Sequence, residues 1–222
     1  MAFVAAVHDP HAGQPVLTAG PPPEQASGTV ILLHGRGSTA QSMLELHPVL
    51  GSHLAAIAPQ AVGGTWYPKS FLALLEANQP FLDSALSQLD SIVTELLDRG
   101  IRSDAVAILG FSQGACLALE FVARHPRSYG AVIGLSGGLI GPEVTARDYP
   151  GSLAGTAVVL GASDPDPHVP FERVCQTQAV LERMHASVEL HRYPGMPHMI
   201  NDDELATSKS LLEQMIARQQ EE

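Results

Sequence analysis

Gly110-Phe-Ser112-Gln-Gly114 sets a serine between two glycines in the spacing G-x-S-x-G. Five letters alone are a weak signal, but their surroundings strengthen it. The apolar run Ala105–Leu109 reads as a strand, and a helix is expected to open at Gln113. Strand, turn and helix around this pattern make a nucleophile elbow, a strained turn that lifts the serine hydroxyl clear of the sheet. The helix N-terminus beside it offers backbone N–H groups and a favourable dipole to a developing oxyanion. A serine hydroxyl still needs a base, and the base needs a carboxylate to orient it.

Both partners have candidates in the loops that follow later strands. Of ten histidines, His198 alone sits just past the last expected strand, Val188–Tyr193, and before the last helix. His185 reads as a helix C-terminal cap, His191 lies within a strand, and His47, His53 and His125 read as surface or packing residues. After the expected strand Thr156–Leu160 comes Gly161-Ala-Ser-Asp164-Pro-Asp166-Pro-His168-Val-Pro170. Either aspartate suits the carboxylate's place, and the other is expected to hold its loop by side chain to backbone hydrogen bonds. The order Ser, Asp, His is one of the recurrent triad orders. A second oxyanion donor is expected from the loop after an early strand. Leu33-His34-Gly35-Arg36-Gly37 follows the run Thr29–Leu33, so the N–H of Arg36 is paired with that of Gln113. The Arg36 side chain is then free for an acidic group of the substrate or a carboxylate of the protein. His34 is expected to brace this loop by a structural hydrogen bond.

The elements that must position these groups alternate along the chain. Thr29–Leu33 is a continuous β-branched apolar run, the mark of a strand buried on both faces. His53–Ala58 and Tyr129–Leu135 add further strands, and Val188–Tyr193 alternates in period two, as a strand near a sheet edge would. Helices are expected over Asp83–Arg99, with a 3.6-residue apolar stripe and Gly100 beyond it, and over Ser112–Arg124, Phe171–His185 and Asp202–Arg218. Strand–helix alternation predicts an α/β domain, a mostly parallel sheet covered on both faces. Two segments break the rhythm. Gly13–Gly28, with three consecutive prolines, reads as an exposed connector. Ala61–Pro80 is too long and too apolar for a plain linker, and such insertions often border active sites. Its Trp66, Tyr67 and Phe71 suit either a helix packed on the core or the wall of an acyl pocket. Leu139, Ile140, Met196 and Met199 are further pocket candidates that would serve equally well as core.

Composition narrows the partners. The 222 residues suit a single domain spanning 1–222, and a net charge of −11 argues against nucleic acid or an anionic membrane. That field would favour neutral over anionic esters, with Arg36 as the local exception. Cys116 and Cys175 show no metal-ligand spacing and read as two buried free thiols in a reducing compartment, so neither metal nor cofactor is implied. Residues 1–7 are apolar but lack the basic start of a signal peptide, and no stretch is long enough to span a membrane, which makes the cytoplasm the expected location. Apolar surface on the Ala61–Pro80 insertion would also suit a homodimer.

With these residues together, the chain resembles the phospholipase/carboxylesterase family of α/β-hydrolases, which includes the acyl-protein thioesterases. The likeness runs from about Thr29 to the last helix and rests on four motifs in order: Leu33–Gly37, Gly110–Ala115, Asp164–Pro170 and Tyr193–His198. In the family's D-x-D-P-x-V-P motif the second aspartate is the triad member, so the resemblance implies Asp166 beside Ser112 and His198. Two departures stand out: Arg36 occupies a position that is often apolar, and Thr65-Trp-Tyr-Pro68 continues into Ser70–Leu75. Both resemble small bacterial members more than the eukaryotic depalmitoylating enzymes. The expectation is a serine carboxylester hydrolase for short- to medium-chain acyl esters of small molecules, working through an acyl-enzyme. Thioesterase, lysophospholipase or lactone-opening activity would use the same groups, and a binding protein on a hydrolase scaffold is the alternative outside catalysis.

Overall fold

The computed structural model describes residues 9–220. The expectation about the apolar start concerns residues 1–7 and lies outside them. Seven strands form among the described residues: β1 (Val16–Ala19), β2 (Thr29–Leu33), β3 (Ala55–Pro59), β4 (Val106–Phe111), β5 (Ala131–Leu135), β6 (Ala157–Asp164) and β7 (Ser187–Pro194). They make one sheet in the order β1-β3-β2-β4-β5-β6-β7. Every pairing is parallel except that of β1 with β3.

Alternation along the central strands divides the core. Ile31 and Leu33 of β2 and Val106 and Ile108 of β4 face one apolar cluster, while Val30, Leu32, Ala107 and Leu109 face another. Both faces are therefore buried, which is why these runs are apolar at every position. On the first face lie α3 (Phe81–Asp98), α4 (Gln113–Arg124) and α5 (Phe171–Arg183); on the second lie two short helices, α1 (Ala40–Leu44) and α2 (His47–Leu50), and α6 (Asp202–Gln220). Helix α3 turns Leu82, Leu86, Leu89, Val93 and Leu96 inward. Gly100, at φ 83°, supplies the left-handed residue just past it. Strand β7 closes one edge and its exposure alternates, as its period-two sequence implied. This is the α/β-hydrolase arrangement, a mostly parallel sheet with helices on both faces.

Some expectations change. The segment from Gly13 to Gly28 contains β1, whose four residues pair antiparallel with β3 over Val16–Ala19 and Ala56–Pro59. So short a strand has no local signature, and its hydrogen bonds come from a partner about forty residues away. Strand β6 runs four residues further than the apolar pattern, so Asp164 stands at a strand end. Cys116 is buried, but Cys175 is only half-buried. The Ala61–Pro80 insertion holds no α-helix, only 3-10 turns at Val62–Gly64 and Leu75–Asn78. It packs inward through Trp66, Tyr67 and Phe71, and Leu74, at 64% exposure, is the large apolar side chain it leaves out. No helix among the described residues is long and apolar enough to cross a membrane.

Candidate active site

Ser112 sits between β4 and α4 at φ 54° and ψ −117°, a conformation few non-glycine residues adopt. The flanking glycines allow it. A Cβ on Gly110 would lie 2.3 Å from the carbonyl oxygen of Gly114, and one on Gly114 would lie 2.2 Å from that of Leu33. Helix α4 therefore packs backbone to backbone against β2 and β4, and the serine hydroxyl projects at the sheet's C-terminal edge.

His198 reaches that hydroxyl from the loop after β7. Its Nε2 lies 2.8 Å from Ser112 Oγ, and its Nδ1 lies 2.6 Å from Asp166 Oδ2. The Asp166 side chain is 1% exposed. Burial, the largest single effect, pushes its carboxyl upward. The hydrogen bond from His198 and those from the backbone N–H groups of His168 and Val169 outweigh it and hold the group below its ordinary value. An ionised Asp166 only accepts, so Nδ1 carries the imidazole proton and Nε2 is left to accept from the Ser112 hydroxyl. That is the geometry a serine needs to be deprotonated as it attacks. Phe111 and His168 flank the imidazole, with ring centroids at 5.0 and 4.8 Å.

The two aspartates separate cleanly. Asp164 accepts from Arg192 Nε at 2.7 Å, an ion pair across β6 and β7, while Asp166 takes both the histidine and the backbone N–H groups of its loop. The loop-bracing role expected of the non-triad aspartate thus falls to Asp166 itself. Its Oδ1 faces the turn while its Oδ2 faces His198.

The backbone N–H groups of Arg36 and Gln113 find no protein acceptor among the described residues. They are available to an oxyanion. The Arg36 side chain does something different from what its position suggested. Arg36 Nη1 donates to Thr65 Oγ1 at 2.9 Å and to the Pro68 carbonyl at 3.2 Å; Nη2 donates to the carbonyls of Tyr67 and Lys69 at 2.9 and 2.8 Å. It meets no carboxylate among the described residues and instead straps the insertion to the oxyanion loop. Gln113 does the same from the helix. Its Oε1 accepts from Trp66 N–H at 3.0 Å and its Nε2 donates to Tyr67 O at 2.8 Å. His34 braces the loop as expected. Its Nε2 accepts from Ala61 N–H at 3.1 Å, so Nδ1 carries the proton and donates to Gly35 O at 2.8 Å. Burial lowers its pKa and keeps it neutral.

A cavity of about 620 Å³ opens in front of Ser112, with Tyr67, Phe71, Phe111, Cys116, His168 and Val169 among its walls. Tyr67 and Phe71 reach it as pocket residues. Trp66 and Leu139 do not; both are fully buried in the core, Trp66 covering His34, to whose carbonyl its Nε1 donates at 2.8 Å. Met196 is half-buried outside the cavity and accepts from Asn201 Nδ2 at 2.8 Å. Cys116 lies one helical turn beyond Ser112. Burial pushes its thiol up to about 12, so it stays protonated and is no rival nucleophile.

Sequence reasoning passed over the supports of the 139–149 loop. Glu120, fully buried in α4, accepts from Arg124 Nε at 2.7 Å, Arg147 Nη1 at 2.6 Å, Tyr149 Oη at 3.0 Å and Ile140 N–H at 3.0 Å. Arg173 of α5 donates to the carbonyls of Leu139 and Pro142 at 3.0 and 2.7 Å. A lone acid in a helix apolar nearly all round was the available signal.

A model of a family described as Phospholipase/Carboxylesterase matches residues 17–216. The chain is 28% identical to acyl-protein thioesterase 1 of Saccharomyces cerevisiae over 87% of its length and 95% of that protein's. It is 24% identical to lysophospholipase-like protein 1 of Mus musculus, covering 85% and 87%. Among solved structures, a phospholipase/carboxylesterase from Dyadobacter fermentans superposes with a TM-score of 0.87 at 41% identity, over 90% of this chain and 97% of that one.

Proposed function

Since the chain belongs to the phospholipase/carboxylesterase family and is a hydrolase of the carboxylesterase type, we propose that it cleaves short- to medium-chain acyl esters through a Ser112–His198–Asp166 triad. The observation that carries this reading is the row of two hydrogen bonds, 2.8 and 2.6 Å, at the mouth of one cavity beside two free backbone N–H groups. Ser112 Oγ attacks the acyl carbonyl as His198 Nε2 takes its proton. The N–H groups of Arg36 and Gln113 hold the tetrahedral oxyanion, each donor worth roughly 3–4 kcal/mol in comparable sites. His198 then passes the proton to the departing alcohol, and Asp166 stabilises the imidazolium between the two steps. Water repeats the sequence on the acyl-enzyme and releases the acid. The short acyl range is supported by Trp66 and Leu139, which are fully buried and do not line the cavity.

Labelling by a fluorophosphonate, followed by peptide mapping, tests the nucleophile. The probe should attach to Ser112, and Ser112→Ala should abolish both label and turnover with the fold intact. A label on another serine overturns the assignment, and no label on the folded wild type favours a binding protein. A panel of p-nitrophenyl esters and matched acyl thioesters tests the substrate. Preference for long thioesters would replace the short-ester reading.

A further inference from the structure

The whole protein carries a charge of −11, yet the rim of its cavity is locally basic. Arg36, Lys69 and His168 are all part of the lining, and among the described residues no aspartate or glutamate is. The carboxylate behind His198, Asp166, is 1% exposed in its side chain and is consumed by His198 and two backbone N–H groups. Asp164 is paired with Arg192. The Arg36 guanidinium donates only to neutral oxygens, so its charge is not cancelled.

Lys69 is one of two lysines in the chain. The other, Lys209, approaches Glu213, whereas the Lys69 ammonium has no partner among the described residues. Its backbone, by contrast, is fixed on both sides. Its N–H donates to the side-chain oxygen of Asn78 at 2.8 Å, its carbonyl accepts from Arg36 at 2.8 Å, and Asn78 is fully buried. The next carbonyl, of Ser70, accepts from Asn78 Nδ2 at 3.1 Å. A buried amide and a guanidinium thus hold in place the stretch that presents a free cation at the cavity rim.

Direction follows from the chemistry. The alcohol must leave beside His198, on the wall that holds His168, and the carbonyl oxygen must face the N–H groups of Arg36 and Gln113. The wall left for the acyl group is the insertion, Tyr67–Phe71, with Lys69 on it. We propose that the preferred substrates are monoesters of dicarboxylic acids, whose free carboxylate meets Lys69 at the far end of the acyl group. This rests on the esterase reading above and reverses, within the cavity, the preference for neutral esters that the net charge implied.

The experiment compares p-nitrophenyl hydrogen glutarate and adipate with the valerate and hexanoate of equal acyl length, in wild type, Lys69→Met and Lys69→Glu. A third pair, phenyl hexanoate and 4-carboxyphenyl hexanoate, places the charge on the alcohol. The ratio of kcat/KM for the charged acyl ester to that for its neutral partner should fall roughly tenfold in Lys69→Met and further in Lys69→Glu. In wild type the same ratio should shrink as ionic strength rises from about 0.02 to about 0.5 M. A ratio unmoved by both substitutions overturns the proposal. So does a parallel loss on both esters, which would make Lys69 structural, or an effect confined to the charged alcohol. If wild type hydrolyses none of these esters, the esterase reading itself fails and the proposal with it.

Discussion

Replacing Glu204 by glutamine should make the protein's stability less dependent on pH, and the size of the change follows from one buried carboxyl. Glu204 is 1% exposed at the start of α6. Its Oε2 accepts from Asn201 N–H at 3.0 Å and its own N–H donates to Asn201 Oδ1 at 2.8 Å, a reciprocal cap that ends the loop carrying His198. Its Oε1 has no partner among the described residues and lies against Gly161, where a Cβ would stand 2.1 Å away. Burial raises the carboxyl from 4.5 to about 7, with the negative charge of Asp203 adding to it and the Asn201 N–H opposing. The folded state therefore binds this proton more tightly than the unfolded chain. The resulting stabilisation is complete below pH 4.5 and is lost as pH rises through about 7. At about 1.4 kcal/mol per pH unit, the interval amounts to about 3 kcal/mol. Glutamine keeps an acceptor for Asn201 and removes the titration. Urea unfolding of wild type and Glu204→Gln across pH 5 to 8 measures the effect as a difference, in which other titrating groups cancel. The variant should gain about 2.5 kcal/mol relative to wild type over that range, which begins half a unit above 4.5. A difference that stays constant with pH, or moves the other way, would refute the reasoning.

The two aspartates should respond unequally. Asp166→Asn leaves the imidazole in the wrong tautomer and should lower kcat by about 10⁴, whereas Asp164→Asn, which loses a partly exposed ion pair, should cost less than about tenfold; steady-state kinetics on p-nitrophenyl butyrate decides, and the reverse ranking would move the triad to Asp164. Arg36→Met retains the oxyanion N–H but removes four hydrogen bonds to the insertion. It should cost about 1–3 kcal/mol in urea unfolding and speed proteolytic cleavage within Thr65–Ser70; unchanged cleavage would show that the strap is not what holds that segment.

The strand-and-helix layout was legible because it is written locally. Ile31 and Leu33 can face one cluster while Val30 and Leu32 face another only in a strand covered on both sides, and that demand shows as an unbroken apolar run. The glycines around Ser112 were legible for a similar reason, since close backbone packing excludes every side chain at those positions. Strand β1 was not, because four residues of ordinary composition become a strand only when β3 offers its edge.

Position in the chain was enough to single out Ser112, His198 and a pair of aspartates, since each had to follow a strand at the same edge of the sheet. The motif resemblance implied Asp166 over Asp164, but the physical reason lies in the folded chain: both precede a proline, two residues apart at the end of β6, and they differ in which neighbour, Arg192 or His198, lies within reach. The same holds for Arg36, Gln113 and the Ala61–Pro80 segment. The sequence showed an apolar insertion, but its straps to Arg36 and Gln113 depend on contacts between residues about 30 to 50 positions apart. Periodicity carries the burial of each element, and no local pattern carries the partners it will meet.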